Sequence, residues 1–177
     1  NTYNFFATYA NVDGFDGTQA VLPMEERSEL DRWIISVLNT LIKEVDADYA
    51  NYEPTQAGRR ITNFVDAHLS NWYVRLSRRR FWSKGEFAQD ADTNKDKLAA
   101  YQTLHTCLLT IAKLMAPIAP FYSDRLYQDL NSVTGTESHD SIHLAFFPTS
   151  DESLINKDLE QRMDYAARIA SLLLSLR

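Results

Sequence analysis

Apolar residues recur at helical spacing through almost the whole chain, and this period restricts the fold more than any other feature. Trp33, Ile34, Val37, Leu38, Leu41, Ile42 and Val45 follow one another at i, i+1, i+4 and i+5, as the buried face of one helix does. Ser28 with Asp31 supplies an N-terminal cap for that helix, and Pro54 ends it after Tyr49–Tyr52. A third helix is expected from about Pro54 to Trp82, with Ile61, Phe64, Val65, His68, Trp72 and Leu76 on one face. Thr93 with Asp96 caps a fourth, which carries Leu98, Tyr101, Leu104, His105, Leu108, Ile111, Ala112 and Met115 until Pro117 breaks it. Pro120 suits the first turn of a fifth helix reaching Leu130. A short helix around Tyr3, Phe6 and Tyr9 precedes these and stops at the Asp13-Gly14 and Asp16-Gly17 turns. Ile142, Leu144 and Phe146 alternate, so a short extended strap is expected before a last helix with Leu159, Met163, Ala166, Ile169 and Leu173 inward. The expected fold is all-α, an antiparallel helix bundle with a short extended strap. Residues 1–177 form a single domain in this scheme: 1–24 a linking helix and turn, 28–131 the main bundle, 142–177 the strap and final helix.

Charge is distributed unevenly over this framework. The 177 residues carry a net charge of −6, yet the stretch from Arg59 to Lys84 holds seven basic residues against the single Asp66. Trp72, Tyr73, Phe81 and Trp82 lie among them. Local positive charge beside flat rings suits a polyanion with exposed bases, such as a looped RNA. A solvated basic face, or cations answering the negative end of the helix dipole, accounts for one or two arginines. It accounts poorly for four followed by Lys84. On a wheel at about 100° per residue with Ile61 at zero, Val65, His68 and Trp72 fall within about 40°, Arg75 near −40° and Arg79 near zero. The buried stripe therefore turns cationic, and two arginines do not sit unpaired in a core. The helix end is expected to project beyond the apolar body and expose Arg75, Arg78, Arg79 and Arg80, with Asn71, Arg78 and Arg60 along one flank. Trp72 falls close enough to Ile61 on the wheel to belong to the core.

Other chemistries find little support. The single Cys107 lies among apolar residues and excludes an internal disulfide or a multi-cysteine zinc site. His68 and His105 fall on apolar faces, and His139 with Asp140 and His143 lacks the further ligands a zinc site needs. Five glycines form no phosphate-binding loop, and Glu25, Glu26, Glu29 and Asp31 gather at a helix start, where the dipole favours acids. No apolar run of about 18 residues is present, so an intracellular, cytoplasmic protein without a membrane partner is expected. The chain opens without a Met and stops in mid-pattern at Leu176-Arg177, as a domain excised from a larger polypeptide would. On this evidence it is a binding module, without catalytic residues, metal ligands or a cofactor of its own.

Leu69-Ser70-Asn71-Trp72-Tyr73-Val74-Arg75-Leu76-Ser77-Arg78-Arg79-Arg80-Phe81-Trp82 resembles the signature helix of the anticodon-binding domain of isoleucyl-tRNA synthetases, a class Ia family. Asn1 to Phe6 followed by Tyr9-Ala10-Asn11 resembles the helix leaving the catalytic core, and Asp31-Arg32-Trp33-Ile34 the start of the first bundle helix. Leu114-Met115-Ala116-Pro117-Ile118-Ala119-Pro120-Phe121 resembles the proline-broken segment. The three-arginine run with Phe-Trp is most similar to the eukaryotic-like branch. The resemblance implies a monomeric parent enzyme that joins isoleucine to its tRNA with ATP and Mg²⁺, whose His-Ile-Gly-His and Lys-Met-Ser-Lys-Ser signatures are absent from this chain. This segment would hold the anticodon stem-loop and contact the rest of the synthetase chain. The implied tRNA contacts are Arg75, Arg78, Arg79, Arg80 and Lys84 for phosphates and base edges, Trp72 and Trp82 for stacking, and Asn71 for a base edge. Alternatives are the same domain of a valyl, leucyl or methionyl enzyme, or a helical protein–protein module with an acidic partner.

Overall fold

A computed structural model of the chain describes residues 2–82 and 91–176. Helix α1 (Thr2–Asp13) buries Phe6 and Ala10. Helix α2 (Glu29–Ala50) starts with the expected cap: the Ser28 hydroxyl accepts the Asp31 N–H at 3.2 Å, and the Asp31 carboxylate accepts the Ser28 N–H at 3.3 Å. It ends in a tight turn with Tyr52 at φ 59°, and Pro54 then opens α3 (Pro54–Asn63). The chain continues as one rod through a π-helical stretch, Phe64–Val74, into α4 (Arg75–Trp82), with helical backbone angles at both junctions. Helix α5 (Ala91–Met115) and helix α6 (Pro120–Thr134) form a hairpin around Pro117 and Pro120. Gly135, at φ 59°, closes α6 in the left-handed region that glycine adopts without strain. Helix α7 (Lys157–Ser175) follows two 3₁₀ turns, Ile142–Leu144 and Glu152–Leu154.

One apolar core runs from Phe6 in α1 to Leu159 in α7 and includes Trp33, Ile34, Leu38, Ile61, Phe64, Leu69, Phe81, Leu104 and Leu126. Three tyrosines are fully enclosed, and each hydroxyl has a partner: Tyr73 on Asp31, Tyr101 on Asp13, Tyr127 on the His139 carbonyl. Cys107 is buried, which pushes its thiol well up. His105 is enclosed beside Phe6 and Phe15, and burial pulls its basicity below the ordinary value, as it does for His68.

The bundle itself is as expected, and several local expectations are corrected. The third helix is α-helical only at its two ends. Residues 91 and 92 are already helical, so α5 begins before Thr93. The strap at 142–146 is a 3₁₀ turn between extended Ser141 and Ala145; Ile142 is buried, whereas Leu144 and Phe146 face solvent. Only the first half of α7 seats on the bundle, through Leu159 and Met163, while Ala166, Ile169 and Leu173 are exposed. No helix is long and apolar enough among the described residues to cross a membrane.

Candidate nucleic-acid interface

The π-helical stretch determines which side chains of α4 face water. Buried positions along the rod fall at Ile61, Phe64, Leu69, Tyr73, Ser77 and Phe81. An unbroken α-helix would place Phe81 about 160° away from Ile61. The wider turns of the π segment, with hydrogen bonds from i to i+5, absorb that difference and bring Phe81 back to the core. Arg75 and Arg79, placed on the buried stripe by the straight wheel, are thereby exposed. They are not exposed because the helix end projects, since Phe81 is 1% accessible and the last turn is packed. Arg75, Arg78, Arg79 and Trp82 span a sector of about 100° on α4, and the exposed Asn71 lies one turn before it. The three arginines of this sector form no ion pair with the described residues.

Arg80 has a different position from its neighbours. Its guanidinium forks onto Asp31, Nη1 to Oδ1 at 2.8 Å and Nη2 to Oδ2 at 2.7 Å, and also reaches the Asp96 carboxylate and carbonyl. The Asp31 side chain has no solvent exposure, and it also accepts the Tyr73 hydroxyl at 2.6 Å and the Ser28 hydroxyl at 2.7 Å. Burial alone would raise the Asp31 carboxyl; hydrogen bonds and charge from Arg80, helped by Tyr73 and Ser28, outweigh it and hold the group below its usual range. The same surroundings drive the Tyr73 hydroxyl far up, chiefly by burial. Arg80 thus clamps the start of α2 to the end of α4, contrary to its expected exposure. Arg60 is also engaged, on Glu44 and Asp48 of α2, and does not extend the cationic flank.

The two indoles separate as well. Trp72 is half-buried and lines a groove of ≈ 690 Å³ between α2, the π segment and α7, beside Trp33, Phe64, His68 and Met163. Its Nε1 is buried with no hydrogen-bond partner among the described residues, so the nitrogen edge of Trp72 is on the core side of the rod. Trp82 is 53% accessible, and its Nε1–H donates to the Tyr9 hydroxyl of α1 at 2.7 Å. Lys84 lies outside the described residues. Tyr9 and Asp31 were missed as parts of this site. Asp31 carried a signal as a cap, but nothing local marks either residue as a neighbour of α4.

The fold and this sector define an all-α bundle with a cationic, indole-bearing face among the described residues. Residues 31–177 match the model of the anticodon-binding domain of tRNA ligases, and the chain belongs to that family. Its relatives include an isoleucine–tRNA ligase of Bacteroides thetaiotaomicron, 62% identical over all 177 residues, and one of Porphyromonas gingivalis, 56% identical over the same span. One of Thermoplasma volcanium is 46% identical over 166 residues, 94% of this chain. The chain spans 15%, 14% and 15% of these three relatives.

Proposed function

We propose that this chain holds the anticodon stem-loop of an isoleucine-accepting tRNA, as one part of a longer, monomeric, cytoplasmic isoleucine–tRNA ligase. The exposed sector of Arg75, Arg78, Arg79 and Trp82 carries this reading, with Asn71 beside it. Three cations that form no ion pair with the described residues contact the phosphates or base edges, and the indole face stacks on an unpaired base. Lys84 joins this set as a phosphate contact on sequence grounds. The names of the three relatives favour isoleucine over valine, leucine or methionine. Joining the amino acid to tRNA with ATP and Mg²⁺ is the work of the remaining polypeptide. Among the described residues no group of three or more His, Cys, Asp or Glu is arranged to hold a metal.

The test is a titration of the isoleucine anticodon stem-loop, beside one with a scrambled loop, across a salt series. Four phosphate contacts, Lys84 included, predict a log–log slope near −3, at about 0.7 per contact on single-stranded RNA. Preference for the correct loop supports base reading by this bundle. Equal binding reduces its role to phosphate positioning, and no binding at low salt overturns the proposal.

A further inference from the structure

Trp82 ends α4 about 20° from Arg75 around the helix axis. An indole so exposed ordinarily samples several rotamers, and a mobile ring loses entropy when a base stacks on it. Here a chain of rings links it to the core. Phe81 is buried edge-on against Tyr101, with centroids 4.8 Å apart, and Phe5 stands edge-on to Phe81 at 5.1 Å. The Tyr9 ring tilts against Phe5 at 4.8 Å, and its hydroxyl accepts the Trp82 Nε1–H at 2.7 Å. Each ring thus fixes the angle of the next, from the interior out to the surface.

We propose that Tyr9 is a positioning residue that holds Trp82 as a preformed stacking platform; this rests on the RNA-binding reading above. An indole has one hydrogen-bond donor, and Tyr9 occupies it. Trp82 therefore offers a base its π-face alone, a contact that every base satisfies. It adds affinity without sequence preference, and base reading is left to Asn71, Arg75, Arg78 and Arg79.

The experiment compares this chain with Tyr9→Phe, Trp82→Phe and the double variant. Tyr9→Phe keeps the ring and its neighbours and removes only the acceptor. It should weaken stem-loop binding about two- to tenfold, the effect of one hydrogen bond. The same factor should appear with the scrambled loop, and no further loss should follow in the Trp82→Phe background. Fluorine NMR of chains labelled with 5-fluorotryptophan gives a readout that general destabilisation does not mimic. Tyr9→Phe should shift or broaden the Trp82 resonance, assigned by its loss in Trp82→Phe, and leave those of Trp33 and Trp72 in place. An unmoved Trp82 resonance, or equal losses from Tyr9→Phe with and without Trp82, overturns the proposal. A parent chain that binds no RNA sinks the functional reading and this role with it, while the fluorine spectra separately report whether Tyr9 orients the ring.

Discussion

Arg79 and Arg80 are adjacent in the chain, yet one faces water and the other a buried carboxylate. Arg79→Ala is expected to lower RNA affinity, flatten the salt slope by about 0.7 and change stability by less than about 0.5 kcal/mol. Arg80→Ala leaves Asp31 enclosed without its cation and should destabilise by about 3–5 kcal/mol. Urea melts of the two variants check the contrast, and similar losses would refute the assignment of separate roles. Acid should act through the same pair. The folded-state value of Asp31 is depressed below 3.8, so its contribution is complete above that pH and is lost as pH falls through the folded value. Stability of the parent chain should therefore fall more steeply below about pH 4 than that of Asp31→Asn, measured by denaturant melts at each pH. Buried His105 has the same sign at higher pH, with its contribution eroding as pH drops below 6.5. In the sequence the four arginines looked alike. What separates them is a carboxylate 49 positions away from Arg80, and local spacing carries no trace of such a partner.

At the scale of the helix, the lesson lies in the phase of the rod. The cap and limits of α2 and the start of α6 were legible, because Ser28, Pro54 and Pro120 act through neighbouring backbone groups, whereas α6 runs past the expected Leu130 to Thr134 and closes at Gly135. The site-bearing helix was legible in extent and misread in rotation. A wheel at a constant 100° accumulates error wherever the turn widens, and the π stretch at Phe64–Val74 is such a place. Removing one residue from that stretch, for instance Ser70, turns α4 by about 100° relative to the residues before it. Phe81 or the arginine sector must then leave its present side. The expected result is a loss of about 3–5 kcal/mol, as for removing a buried phenylalanine, together with loss of stem-loop binding. A shortened chain that melted and bound like the parent would show that the π turns do not set the register.

For the molecule as a whole, the seating of α1 matters most: Phe5 and Tyr9 fasten it across the bundle beside Phe81 and Trp82 of α4. Lys97, 2% accessible, meets Asp13 at 2.8 Å, and Tyr101 donates to the same carboxylate. Lys97→Met should release α1 while the rest of the core stays folded, so amide exchange should speed up in α1 and remain slow in α2. Uniform acceleration throughout would show that α1 is not a separable unit. The all-α class and the single basic element were readable from periodicity and charge. The seating of α1 against α4 and α5 was not, since it joins residues far apart in sequence. Asp31 also has a consequence in time. Beside the local Ser28 cap it receives bonds from Tyr73 in the π segment and from Arg80 in α4, and these two are in place only once the helices have docked and water has left. Contacts that form this late lie beyond the folding barrier and slow the return over it. The carboxylate is therefore expected to act as a latch: Asp31→Asn should raise the unfolding rate far more than it lowers the folding rate.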